Sequence, residues 1–373
     1  MANISDYIDW RGDLDFSASP FNEVDNLVLS ELCFIDFENI VPSPKDGGAV
    51  ALGKAAEEFL KKNGPADKIS MGLLIPDEIP LLLEKAASSR RFRDTYVRGY
   101  VNIVDTERQT QFSATTYLLG DGTEYVAFRG TDDTVVGWKE DFNMSFLSEV
   151  PAQTEAVAYL DIAACSSALP LRIGGHSKGG NLAIYAALKS IPQIQSRIIN
   201  IYNNDGPGFK RPVREEPGYK RIAGKIITLT PHLSVVGSLL EHELNYDVVE
   251  SDGKGLLQHD GFTWHVIGTR FVRLEDTSPA SKRLEESLRN HLNELDTEQR
   301  KCFVNGLFGA IESTGASTLS EINEDRLRSA YKIAASIMSL DKKTRELVTK
   351  TLALLMKEIS GIKAASKPAK QRQ

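Results

Sequence analysis

The most constraining feature of this chain is Gly175-His176-Ser177-Lys178-Gly179. It lies between a short apolar run, Leu169 to Gly174, and an Ala-rich helical stretch, Asn181 to Leu188. A serine with glycines two residues away on either side, where a strand hands over to a helix, suits a sharp, strained turn. The turn lifts the hydroxyl clear of the backbone, and side chains at the glycine positions would collide. The helix that follows directs its N-terminal amides at the serine, where negative charge can be held. A bare Gly-x-Ser-x-Gly turns up by chance in about one chain of this length in ten, so context decides. The strand before it and the helix after it are separate requirements, and both are met. The pattern points to a nucleophilic serine rather than a glycine turn that only packs a helix on a strand.

The surrounding sequence supplies a matching scaffold. The first ~90 residues read mainly as helices, with Asn22 to Leu32, Lys54 to Lys62 and Ile79 to Ala87 apolar at helical spacing. Tyr96 to Val104, Phe112 to Leu119 and Glu124 to Phe128 read as antiparallel strands, with a hairpin at Asp121-Gly122. From Pro151 onward helices and strands alternate: Gln153 to Ser166, Leu169 to Gly174, Asn181 to Leu188, Ile198 to Tyr202 and Lys225 to Leu229. That alternation predicts βαβ units and a mainly parallel sheet. Tyr246 to Leu274 returns to strands and turns. Ala280 to Asn293, Thr297 to Ser313, Asn323 to Met338 and Leu340 to Ile359 read as helices. The expected division is residues 1–280 as the α/β domain with its N-terminal helices, 281–362 as an appended helical region, and 363–373 as a disordered basic tail.

Composition narrows the setting. The chain has 373 residues, 41% of them apolar, and a net charge of -7 from 44 basic and 51 acidic side chains. A broad attraction to nucleic acid is not expected of such a chain. No stretch approaches the ~18 apolar residues of a membrane span, and the N-terminus has no basic and apolar leader, so a cytoplasmic setting is expected. Cys33, Cys165 and Cys302 are far apart and suit neither a disulfide framework nor a zinc site. No metal or organic cofactor is implied.

Gly174-Gly175-His176-Ser177-Lys178-Gly179-Gly180 resembles the elbow of the α/β-hydrolase superfamily, in particular class 3 lipases. Tyr125 to Thr131, with Trp138 and Asp141 after it, resembles the oxyanion-loop region of that family. Asp6-Tyr7-Ile8-Asp9-Trp10-Arg11-Gly12-Asp13, Gly137 to Phe142 and Gln258-His259-Asp260 resemble an uncharacterised bacterial lipase-like family still more closely. The likeness spans roughly residues 1–275 and leaves the C-terminal helices unexplained. It implies an α/β-hydrolase fold and an oxyanion hole from two backbone amides, Lys178 and either Thr131 or Asp132. Arg129 and Asp141 are expected to form an ion pair that ties the loop down.

A serine needs a base, usually a histidine oriented by a carboxylate. His176 adjoins the serine along the backbone and reads as an elbow-packing residue, and His291 lies among the C-terminal helices. That leaves His232, His242, His259 and His265. His259 is chosen because it occupies a late loop, where the superfamily's sheet edge carries the base. In class 3 lipases the acid follows the strand matching Lys225 to Leu229, yet Ser234 stands near that position here. Asp205, at the end of the preceding strand, is chosen instead. Asp247, Glu241 and Asp260 stay open, and Asp205 could also be a turn-capping residue. The run Leu233 to Leu240 reads equally as a lid or a buried helix.

The resemblance thus implies a serine hydrolase acting on a carboxylic ester or thioester, with a small acyl ester or lipid-like molecule as substrate. Ser177, His259 and Asp205 would form the triad, with Lys178 and Thr131 as oxyanion donors. The alternative is a non-catalytic binding or scaffold protein on the same fold.

Overall fold

The computed structural model describes all residues except 211–212, 235, 237–244 and 366–373. Four helices come first, Ile4–Arg11 (α1), Glu23–Leu32 (α2), Leu52–Asn63 (α3) and Ile79–Ser88 (α4), with the short strand Val50–Ala51 (β1) before α3. Next come Tyr96–Asp105 (β2), Thr110–Leu118 (β3) and Glu124–Phe128 (β4). The central part runs Val135–Asn143 (α5), Pro151–Cys165 (α6), Leu171–His176 (β5), Lys178–Lys189 (α7), Pro192–Arg197 (α8), Ile198–Asn204 (β6), Pro217–Ile222 (α9), Ile226–Pro231 (β7) and Asp247–Val249 (β8). After the hairpin Val266–Ile267 (β9) and Arg270–Phe271 (β10) and the strand Arg273–Leu274 (β11), five helices follow: Pro279–Glu294 (α10), Thr297–Glu312 (α11), Leu319–Glu324 (α12), Arg326–Ser339 (α13) and Lys342–Ala365 (α14).

The main sheet has nine strands in the order β1-β2-β3-β4-β5-β6-β7-β8-β11. Strands β4 to β8 pair in parallel, and the pairs at both edges are antiparallel. This is the α/β-hydrolase architecture expected, with a parallel centre, N-terminal helices and appended C-terminal helices. Helices α6 and α7 cover one face of the sheet, while α2 packs across β4 and β5 on the other. Strand β4 is buried along its whole length, as a central strand covered on both faces should be. The N-terminal helices are locked by a fully buried ion pair, Arg91 Nη2 to Asp25 Oδ2 at 2.5 Å, with the Tyr7 hydroxyl also donating to Asp25.

The C-terminal helices share a third core with α5. Phe303, Val304, Phe308 and Val348 pack with Val135 and Phe146, and Trp138 and Phe142 close its edge. The single helix expected over Asn323 to Met338 is two, α12 and α13, broken at Asp325, whose backbone leaves the helical region (φ -116, ψ 51). Helix α14 runs to Ala365, three residues into the stretch expected to be a tail, and 366–373 lie outside the described residues. So do His242, Glu241 and most of the run Leu233 to Leu240. No described helix is long and apolar enough to cross a membrane. The three cysteines are free thiols.

Candidate active site

Ser177 stands between β5 and α7 with φ at +57° and ψ at -131°. A non-glycine residue is rarely held there, and the cost is of order 1–3 kcal/mol. The glycines explain how the turn closes. A Cβ on Gly179 would lie 2.0 Å from the Phe128 carbonyl oxygen, and one on Gly175 would lie 2.4 Å from it. Neither position accepts a side chain without moving β4.

Asp205 occupies the matching place one strand over, also at positive φ (+52°). The two corners are tied together, since Ser177 N donates to the Asn204 carbonyl at 2.9 Å and Asp205 N to the Leu229 carbonyl at 2.8 Å. The Asp205 carboxylate is buried and fully used. Oδ1 accepts from the Thr230 hydroxyl (2.9 Å) and the Ser234 hydroxyl (2.5 Å), and Oδ2 accepts from His259 Nδ1 (2.6 Å). Ser234, which stands near the expected acid position, thus donates to the carboxylate at the end of the neighbouring strand. A carboxylate that accepts at Nδ1 fixes the tautomer that leaves Nε2 with a lone pair. His259 keeps a quarter of its side chain exposed, whereas Asp205 has none.

His176 lies against His259 rather than merely packing the elbow. The two rings stack at 4.6 Å between centroids, 29° apart, and His176 Nε2 donates to the His259 carbonyl at 2.8 Å. That donation puts the His176 proton on Nε2, so Nδ1 presents a lone pair. Glu31 Oε1, on α2, lies 3.3 Å from Nδ1. Burial pushes the Glu31 carboxyl well above the usual carboxylate range, with Asp260 adding to the effect. Burial, with the neighbouring His259, brings His176 down to about 3. Burial thus disfavours charge on both facing groups, and neither Glu31 carboxyl oxygen has a hydrogen-bond partner among the described residues.

The other side of Ser177 is ionic. The Lys178 side chain runs into the interior. Its ammonium donates to the Gln111 carbonyl (2.9 Å), Gln111 Oε1 (2.6 Å) and Glu140 Oε2 (3.1 Å) and lies 3.8 Å from Asp141 Oδ1. Glu140 also accepts from the amides of Gln111 and Ala152. Asp141 Oδ2 accepts from the Thr131 hydroxyl at 2.5 Å. Burial pushes the Asp141 carboxyl up to about 6, against the opposing pull of Lys178. The expected Arg129–Asp141 pair does not form. Arg129 reaches Asp132 (2.8 Å) and Asn102 instead, because Asp132 sits three residues away on the same loop. Among the described residues, the main-chain amides of Lys178 and Thr131 have no acceptor.

The remaining candidates are engaged elsewhere. His265 faces Glu250 and Asp252, His232 faces Gln258, and His291 faces Thr351. Asp260 accepts from the Phe262 amide, and burial pushes it up to about 6. Asp247 pairs with Arg273. Glu31, Glu140 and Gln111 did not stand out in the sequence, since each reads as an ordinary polar residue within an element. Among the described residues no cluster of His, Cys, Asp and Glu could hold a metal.

No curated protein matches the chain. Among solved structures it is similar to an M37 lipase, at 15% identity and a TM-score of 0.39, over 59% of this chain and 70% of that one. It is also similar to a Rhizomucor miehei lipase in a propeptide complex, at 16% identity and a TM-score of 0.30, over 42% of this chain and 57% of that one. A profile of the Mbeg1-like family matches residues 86–309, more than half of the sequence and all of the strands from β2 to β11. The chain belongs to the Mbeg1-like family.

Proposed function

We propose that this hydrolase-like protein is a serine hydrolase that cleaves a carboxylic ester or thioester through an acyl-enzyme on Ser177. The observation that carries the reading is the 2.6 Å contact between His259 Nδ1 and the buried Asp205 carboxylate, at a strand end whose Asn204 carbonyl accepts from the amide of the positive-φ Ser177. In this reading His259 Nε2 takes the Ser177 proton as Oγ attacks the substrate carbonyl carbon. The amides of Lys178 and Thr131 hold the resulting oxyanion, each worth about 10²–10³ in turnover. The tetrahedral adduct collapses, the C–O or C–S bond breaks, and the leaving group takes the proton from His259. Water then attacks the acyl-enzyme by the same route and releases the acid. Asp205 steadies the imidazolium formed in each half-reaction. A lipid-like acyl group follows from the family alone, since a fold does not fix a substrate.

The alternative is a non-catalytic scaffold, which the lack of a carboxylate near Ser234 would favour. The Ser234 hydroxyl donates to Asp205, which supports the hydrolase reading over it. The test is turnover of a panel of p-nitrophenyl esters and acyl thioesters by wild type and Ser177→Ala. Turnover by the wild type alone is expected. Equal rates for both would overturn the assignment.

A further inference from the structure

We propose that Asp133 is a positioning residue that clamps the oxyanion loop to the C-terminal helical layer; the proposal rests on the hydrolase reading above. Asp133 lies two residues past Thr131 and gathers backbone amides from two remote segments. Oδ1 accepts from Leu73 N at 2.9 Å, and Oδ2 accepts from Ser320 N at 3.1 Å. Its carbonyl accepts from Leu319 N at 2.9 Å, and Val135 N donates to the Ser317 carbonyl at 2.9 Å. Thr134 and Thr318 face each other between these bonds as an antiparallel bridge, so residues 133–135 and 317–319 form a short ladder.

Gly72 allows the third segment in. Its φ is +124°, and a Cβ there would lie 2.7 Å from the Asp133 Cβ. The inner side of the loop is held by Asp132, which takes the Thr134 amide and Arg129, and by Asp141 on the Thr131 hydroxyl. Asp133 holds the outer side. Leu73 and Ser317 to Ser320 lie outside the 86–309 match, so the clamp reaches the family core from both chain ends. The same helical layer touches the other flank of the site. The Ser281 hydroxyl donates to the Ser234 carbonyl, and α14 packs on the turn Gly255–His259. A preorganised oxyanion hole needs its donors fixed before reaction. Asp133 supplies that fixing for Thr131 from elements that touch no substrate.

Two variants break the clamp from opposite ends. Asp133→Ala removes both carboxylate contacts. Leu319→Pro removes one amide donor at the first position of α12, where proline is tolerated and where extended Thr318 can precede it. Steady-state kinetics on a p-nitrophenyl ester and hydrogen exchange by mass spectrometry are read together. The expectation for Asp133→Ala is a fall in kcat of about 10–100-fold, with KM within about two-fold, because transition-state stabilisation alone is lost. Exchange should rise in peptides covering 129–135 and 317–321 together, with 178–189 unchanged. Leu319→Pro should repeat both effects more weakly. If the wild type hydrolyses no ester but exchange rises jointly in the two segments, the clamp stands and the hydrolase reading fails. Unchanged exchange at 129–135, unchanged kcat in an active enzyme, or a uniform rise in exchange with kcat and KM moving together would overturn the clamp.

Discussion

On one side of Ser177 two imidazoles stack on each other, with the buried Glu31 carboxyl against His176; on the other, Lys178, Glu140, Asp141, Arg129 and Asp132 form a web of paired charges. On the base side burial disfavours charge on both His176 and Glu31, which leaves Asp205 and Asp260 as its carboxylates. A cationic His176 stacked at 4.6 Å would oppose protonation of His259, the step the proposed reaction requires. Burial disfavours a charged His176, which in the proposed reaction leaves the cationic role to His259. The oxyanion side has the opposite need. In the proposed reaction its donors are main-chain amides that must not move, and the side chains of both residues that carry them are held, Lys178 by Gln111 and Glu140 and Thr131 by Asp141. On the proposed mechanism, positioning comes from stacking and neutral hydrogen bonds where a proton travels, and from ion pairs where it does not.

The largest expected effect tests the base side. Asp205→Asn should cost about 10³–10⁴-fold in kcat, because the amide cannot stabilise the imidazolium and favours the wrong tautomer. A loss under ten-fold would assign the acid to another residue. The next effect lies on the ionic side. Lys178→Met leaves the Glu140 carboxylate without its ammonium and should cost about 3–5 kcal/mol by urea unfolding, with much of it recovered in the Lys178→Met, Glu140→Gln double variant. Additive losses would show that the pair is not coupled.

Glu31 separates the two sides by pH. Its folded pKa is raised, so the folded protein keeps a proton that the unfolded chain releases above about 4.5. Stability from this group is therefore lost as pH rises through that range. Glu31→Gln should match wild type near pH 4 and become the more stable protein at higher pH, by up to about 1.4 kcal/mol per pH unit. A pH-independent difference would mean that Glu31 is ionised in the fold. The smallest effect is that of Asp141→Asn. It should lower kcat about 10-fold, less than the loss of an oxyanion donor, because the Thr131 amide stays in place and only its hydroxyl tether weakens.

What was legible in the sequence follows from how local each signal is. The elbow could be read because Gly175, Ser177 and Gly179 state their steric requirement within five residues. The sheet could be read because parallel strands alternate with helices in chain order. Asp205 and His259, chosen from several candidates, meet at 2.6 Å. The ion web was not legible. Gln111, Glu140 and Lys178 lie on three elements and meet only once the sheet is built. Arg129 was assigned the wrong acid because Asp132 and Asp141 are both within reach along the chain, and only the loop conformation selects between them. The contacts of Asp133 with Leu73 and Ser320 span 60 and 187 residues, and no local pattern announces them.

The central claim is tested most directly by labelling with a fluorophosphonate, followed by peptide mapping of the adduct by mass spectrometry. The adduct is expected on Ser177 in the wild type, absent in Ser177→Ala, and formed far more slowly in His259→Ala. An adduct elsewhere on the chain, or equal labelling of wild type and Ser177→Ala, would contradict the account.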